Sequence, residues 1–389
     1  MTIDQIVNDA DLRSRLFPVT RRKNFLAHAG VAPITQAAVD KIRLAAEEGA
    51  SQEQETEALL RELDQSRRTA ARLLKADPGE IALVGPTAFG LNLVAQGLEF
   101  EPGDEVVYYP DDYPADVYPW MRLVERGVKL VPLEPSALGR LTPELVLRAV
   151  GPRTRLVALA TCHFLSGYLL DYRTIGEELR RRGVLFCLDG IQSLGAAPME
   201  AAYCDFLSAD SHKWLLGPLG AGIFYVRKER QSLLRPALVG AWNIRSPGFI
   251  AQSELECEEG ARRYECGALY ALGILGMRAS MELLLELGIE AIRERILSLH
   301  AFLAEGLRNR GWRLLAEGIP EEARSGIVTA SHDRLDLAAA VEALKAQNIV
   351  VSLRWDRQGK RYIRFSPHFY NTHAELAKAV GLLDRSGAA

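Results

Sequence analysis

The chain has 389 residues, 48% apolar and 25% charged, with a formal net charge of −3 at neutral pH. That composition suits a soluble globular protein of two domains; it excludes a disordered or fibrous chain and offers no basic stripe for a nucleic-acid backbone. No apolar stretch approaches a bilayer span, Met1 to Ala10 is acidic and polar rather than a signal pattern, and the five cysteines form no CxxC pair, so we expect a cytoplasmic protein without membrane contact, disulfide framework or metal site.

Taken in order, Pro33 to Ala76 carries long helical periodicity with heavy charge, notably from Ser51 to Arg72, and reads as a solvated helix face laced with i,i+4 pairs. From about Ile81 to Val226 short β-rich runs alternate with amphipathic stretches. The pattern predicts strands at 105–109, 128–132, 156–160, 184–189, 206–208 and 222–226, with helices at 115–126, 142–150 and 172–182 between the first four. Such alternation predicts right-handed βαβ units, hence an α/β fold with a mostly parallel sheet whose sites lie beyond the carboxyl ends of the strands. Residues 267–310 read as two long helices broken near Leu287-Gly288. Strands near 312–316, 326–331, 350–353 and 362–365 then alternate with helices at 335–347 and 372–384, suggesting a smaller α+β C-terminal domain. The expected division is an N-terminal segment 1–22 packing on the small domain, a large domain 23–266 and a small domain 267–389.

Chemistry concentrates at two strand ends. Lys213, in Ser-Ala-Asp-Ser-His-Lys-Trp, follows the run at 206–208, and Asp189 closes the run at 184–189. An amine and a carboxylate at one sheet edge form the layout a pyridoxal phosphate (PLP) site requires: the amine for a Schiff base, the carboxylate to keep the pyridine nitrogen protonated. By themselves the two residues more readily describe an exposed lysine beside a strand-end aspartate, and the surrounding residues reverse that reading. Upstream, Ile81 to Gly90 reads as a strand, a Gly-Pro turn and a helix, with Thr87 placed to cap that helix and to meet a phosphate. Cys187, within Val-Leu-Phe-Cys-Leu, reads as a buried small hydrophobe.

From about Asn24 to Asp384 the sequence resembles the fold-type I PLP enzymes of the class V aminotransferase group, which includes cysteine desulfurases, kynureninase and isopenicillin N epimerase. The resemblance rests on Phe-Leu-Ala-His-Ala-Gly (25–30), Gly-Pro-Thr-Ala-Phe-Gly-Leu-Asn (85–92), Leu-Asp-Gly-Ile-Gln (188–192), Ser-His-Lys-Trp-Leu-Leu-Gly-Pro (211–218) and Ile-Arg-Phe-Ser-Pro-His-Phe-Tyr-Asn-Thr (363–372). It implies a PLP-dependent transferase fold, PLP as cofactor, an amino-acid substrate and a homodimer with sites at the subunit interface. Lys213 would be the Schiff-base lysine, Asp189 the partner of the pyridine nitrogen, and Gln192 the contact to the phenolic oxygen. Thr87, the backbone of Ala88, Asp210 and His212 would hold the phosphate. Tyr113 falls where a ring stacks on the cofactor, and Trp242 where kynureninase-like relatives reach the phosphate edge from the partner subunit. Arg364 matches the arginine that grips the substrate α-carboxylate, with Arg354 as competitor. The loops His28 to Ile34 and Asn243 to Gln252 would line the substrate pocket, with His28 as a further substrate-binding candidate.

Two departures limit the carry-over. Cysteine desulfurases carry a nucleophilic cysteine where this chain reads Ser352 to Tyr362, and no cysteine follows Cys266; without that thiolate, persulfide formation lacks its acceptor. Ala268 stands where many relatives place a threonine that reaches the phosphate across the dimer. The expected activity is that of a class V aminotransferase acting on the α-amino group or α-carbon, with a kynureninase-like or C–S lyase, an epimerase and a non-catalytic binding protein as alternatives.

Overall fold

Period-two burial organises the larger sheet. The computed structural model describes residues 1–54 and 56–383. Its strands are β1 (Asn24–Phe25), β2 (Ile81–Val84), β3 (Glu105–Tyr108), β4 (Lys129–Pro132), β5 (Thr154–Ala160), β6 (Leu185–Asp189), β7 (Phe206–Asp210), β8 (Gly222–Val226), β9 (Arg313–Leu314), β10 (Val328–Ser331), β11 (Ile349–Val350), β12 (Ser352–Trp355) and β13 (Arg361–Phe365). Along β5, Val157 and Leu159 enter one core while Leu156 and Ala158 enter another; along β6, Phe186 and Leu188 alternate likewise with Leu185 and Cys187. Successive side chains on a strand point to opposite faces, so this sheet is covered on both sides.

The strand order is β2-β8-β7-β6-β5-β3-β4. Pairings from β7 through to β4 are parallel, and β8 runs antiparallel to both β7 and β2. The order reverses direction between β3 and β5, the switch point where open α/β sheets leave a crevice. Helix Thr87–Gly97 lies close against β7 because Gly90 has no side chain: a Cβ there would stand 2.3 Å from Ser208 Oγ. The second sheet, β12-β13-β10-β9, is antiparallel and has its own core of Leu299, Leu303, Val328, Ile363 and Phe365. At the start of the chain, Phe17 stacks on Tyr370 at 4.1 Å, and Arg13 pairs with Glu375 at 3.5 Å.

Most expected elements lie within a few residues of their predicted bounds, and β7 runs on to Asp210. The helix expected at 115–126 is instead split into Pro114–Asp116, Tyr118–Met121 and Arg122–Arg126. Pro119 explains this, since a proline lacks the donor a continuous helix needs. The charged stretch divides into Gln36–Ser51 and Glu57–Leu74, the second opened by Thr56, whose side chain accepts from the Leu59 N–H. Only part of that face is solvated: Leu63, Arg67, Ala70, Ala71 and Leu74 are buried. Of the C-terminal helix, His373–Leu383 is described, and the predicted end at Asp384 lies outside the described residues.

Arg67 is held by Glu265, whose Oε1 accepts from Arg67 Nε at 2.9 Å and also from the Leu83 N–H at 2.8 Å. Removing one partner strands a buried charge, so Arg67→Met is expected to destabilise the fold by about 3–5 kcal/mol. Chemical denaturation measures it. Near-native stability would show that Glu265 finds another partner or water.

Candidate active site

The carboxyl ends of β3, β5, β6 and β7 deliver a cluster of buried charges. Asp189, the last residue of β6, is 3% exposed, and its Oδ1 accepts from the Ile191 N–H at 2.7 Å. Lys213, on the turn after β7, is 7% exposed, and its Nζ stands 5.3 Å from the centre of the Tyr113 ring. Burial pulls the Lys213 amine down to about 8 despite the opposing field of Asp189. Burial likewise pushes Asp189 up to about 6.

Asp116 completes this cluster, and sequence reasoning missed it. It is 5% exposed and hydrogen-bonded through its carboxyl group to Asp189; burial first, then the Asp189 charge, drives it well above the usual carboxylate range. Asp116 therefore keeps the proton and donates it to Asp189, which keeps the charge. The available signal was a second acidic residue in Asp-Tyr-Pro-Ala-Asp, three positions beyond Tyr113.

At the opposite end of the cleft, Thr87 does not cap its helix. Pro86 occupies the N-cap position with no side-chain cap bond, and Thr87 is the first helical residue. Its Oγ1 accepts from the Asp210 N–H at 2.9 Å, which leaves the hydroxyl proton free beside the unpaired N–H groups of the helix start at Ala88. His212 Nδ1 lies 2.9 Å from Asp210 Oδ2, while Asp210 Oδ1 is buried without a partner. Hydroxyl, free backbone N–H groups and an imidazole suit a phosphate. Gln192 donates from Nε2 to the Ala29 carbonyl and accepts at Oε1 from Trp214 Nε1, retaining one amide hydrogen.

The small sheet supplies the guanidinium groups. Arg364, on β13, is 1% exposed; its Nη1 donates to the Phe164 carbonyl and its Nε is buried with no partner. Burial, then neighbouring Arg354, pulls it down to about 9. Residues 24–35 connect the two sheets. β1 pairs with β11, the His28 N–H donates to the Ser366 carbonyl at 3.2 Å, and the Ala32 N–H donates to the His212 carbonyl at 2.7 Å.

Two expected residues stand apart. His28 has no exposed surface: Nδ1 donates to the Ser366 carbonyl at 2.9 Å, and Nε2 accepts from the Tyr370 hydroxyl at 2.7 Å. Both ring nitrogens are engaged, and Gly30, two residues on in the same loop, lies beside the guanidinium groups of Arg354 and Arg364. Trp242 makes no hydrogen bond or ring contact to the lysine cluster within this single chain; its loop is held by Asn243, which donates to the Leu238 and Arg263 carbonyls.

The Aminotransferase class-V family profile matches residues 25–378. An uncharacterized aminotransferase, YcbU of Bacillus subtilis (strain 168), is 30% identical over 320 residues, 81% of either chain. Isopenicillin N epimerase of Amycolatopsis lactamdurans is 30% identical over 335 residues, covering 82% of this chain and 83% of that one. The apo structure of a cysteine desulfurase from Thermococcus onnurineus NA1 superposes with a TM-score of 0.88 at 22% identity, covering 97% of this chain and 98% of that one. The parallel sheet with its smaller antiparallel companion is thus the fold of the PLP-dependent transferases, and the chain belongs to the class V aminotransferase family of PLP enzymes.

Proposed function

We propose that this chain acts at the α-carbon of an amino acid and that transamination is its reaction. The observation that carries the reading is a buried amine beside a buried carboxylate, with a buried guanidinium that has no carboxylate partner facing the same cleft. When bound, PLP supplies an aldehyde that condenses with an amine and a protonated ring that takes up the electron pair left at the α-carbon.

Each residue then has a physical task. Lys213 would hold the aldehyde, and its free amine would take the α-proton from the α-carbon onto Nζ; a value of about 8 suits a base at neutral pH. Asp189 would hold the proton on the ring nitrogen, with Asp116 favouring the anionic form of Asp189 through their hydrogen bond. Thr87, the Ala88 N–H and His212 bind the phosphate. A carboxylate would repel that group, so Asp210 acts through His212 by orienting its ring. Gln192 would give its remaining amide hydrogen to the phenolic oxygen, and Tyr113 would shield the ring. Arg364 grips the α-carboxylate. Trp242 would complete the phosphate edge from the second subunit of a homodimer.

Persulfide chemistry lacks a thiolate in the segment where desulfurases carry it, although Cys257 and Cys266 are partly exposed elsewhere. Cys162, Cys187 and Cys204 are buried, with burial pushing Cys162 up to about 12 and the other two thiols also upward, and the segment Ser352 to Tyr362 has no cysteine. Epimerisation is the second reading, supported by the identity to isopenicillin N epimerase over 82% of the chain.

A panel of amino acids added to holoenzyme, with product analysis, tests the reaction. Transamination should release the keto acid while the amino group stays with the enzyme until a second keto acid collects it. Keto acid appearing together with free ammonia would make the protein a lyase, and an inverted enantiomer an epimerase. Alanine formed in step with sulfide from L-cysteine, and lost on replacing any one cysteine, would restore desulfurase chemistry.

A further inference from the structure

Arg364 is not the only guanidinium that faces the cleft. Arg364 pairs across the strands with Ser352, and Arg354 lies two residues further along β12, opposite Tyr362. Residues two apart on a strand share a face, so both arginines rise from the same side of this antiparallel pair, on the diagonal where long side chains meet. They converge on one point of the N-terminal loop. A Cβ placed on Gly30 would stand 3.6 Å from Arg354 Nη2 and 3.8 Å from Arg364 Nη2. The Ala27 carbonyl oxygen lies nearer still, 3.1 Å from that Cβ position, so a glycine here keeps the loop clear of both guanidinium groups. Arg354 also lies within electrostatic range of Tyr113, whose ring centre stands 5.3 Å from the Lys213 amine.

The charge balance around these groups is uneven. Lys213 has the carboxylates of Asp189 and Asp210 in its field along with Arg364, and Arg357 pairs with Asp111 Oδ1 at 2.7 Å. Among the described residues neither Arg354 nor Arg364 has a carboxylate partner. Arg354 is half-buried and donates from Nη1 only to the Leu353 carbonyl at 2.9 Å. Two adjacent guanidinium groups withdrawn from water repel each other, and one α-carboxylate neutralises only one of them.

We infer that Arg354, beside Gly30, forms a second anion subsite, and that the substrate is a short amino acid with an acidic group in its side chain, of the aspartate and glutamate class. The inference rests on the assignment of Arg364 to the α-carboxylate. The two arginines then divide the substrate between them, one for each acidic end, with its α-carbon presented to Lys213.

The test is equilibrium binding of succinate and of propionate to the holoenzyme by calorimetry; neither has an amino group, so neither reacts. Succinate should bind about tenfold or more tighter, the worth of one charge-assisted hydrogen-bonded pair. Arg354→Gln should bring succinate to the level of propionate while leaving propionate within about twofold. Arg354→Lys should keep part of the preference, and Arg364→Gln should weaken both ligands. Equal binding of the two acids by the unaltered holoenzyme overturns the subsite, as does an Arg354→Gln variant that loses both alike. The wild-type comparison stands even if a variant fails to fold. A preference for succinate in a protein that processes no amino acid would sink the proposed reaction and leave the subsite standing; turnover of amino acids without that preference would do the reverse.

Discussion

Replacing Lys213 with alanine is expected to abolish the visible absorption band of the holoprotein and to lower turnover by roughly 10⁴-fold, the upper range for a positioned acid–base group. The amine is buried and no second lysine is placed in the cluster, so nothing else supplies a nitrogen to conjugate with the cofactor. The same burial sets a pH dependence. With its amine pulled from the ordinary 10.5 down to about 8, Lys213 is increasingly neutral, and therefore nucleophilic, as pH rises through about 8. Uptake of PLP by the apoprotein should accelerate across that value. The sign for stability follows from proton binding: between about 8 and 10.5 the unfolded chain holds the proton and the folded one does not, so this group's contribution to apoprotein stability rises with pH over that window. Absorbance-monitored reconstitution across neutral to alkaline pH measures the first effect. A midpoint near 10.5, or a Lys213→Ala protein that keeps the band, would remove Lys213 from the centre of the mechanism.

Asp189→Ala should leave PLP bound through Thr87, Ala88 and His212 yet slow loss of the substrate α-proton by roughly a thousandfold, comparable to removing a preorganised charge from a transition state. Exchange of the α-proton with deuterated solvent, followed by nuclear magnetic resonance, isolates that step from later ones. Near-normal exchange in a protein shown to be fully loaded would transfer the role to Asp116, the other carboxyl in the pair. Asp116→Asn separates the two further: it can still donate a hydrogen bond to Asp189, so it should slow exchange far less than loss of Asp189 does.

The parallel sheet and the placement of Lys213, Asp189 and Arg364 were legible because each depends on a short pattern: an apolar run, its last residue and the turn beyond. What escaped depends on contacts between distant segments. Gly30 gains meaning only when two strands more than three hundred residues later bring their arginines to it. Arg67 reads as one more charge on an exposed helix until Glu265, 198 residues on, is found beneath it. Asp116 hid inside a helix predicted from apolar periodicity, whereas Pro119 breaks that helix and frees the preceding turn to carry a carboxyl into the cleft. Thr87 was displaced by one position because Pro86, extended at ψ 161°, already fills the cap. His28 stands in a motif that points to the site, yet its neighbours consume both of its nitrogens.

The strap that joins the two sheets acts as a ruler. Its His28 N–H is fastened to the carbonyl of Ser366, two residues from Arg364, and its Ala32 N–H to the carbonyl of His212, the residue before Lys213. The separation between Arg364 and the Lys213 amine is thereby spanned by one short covalent stretch. Lengthening or shortening that stretch would offset the substrate along the cleft while leaving every reacting group intact.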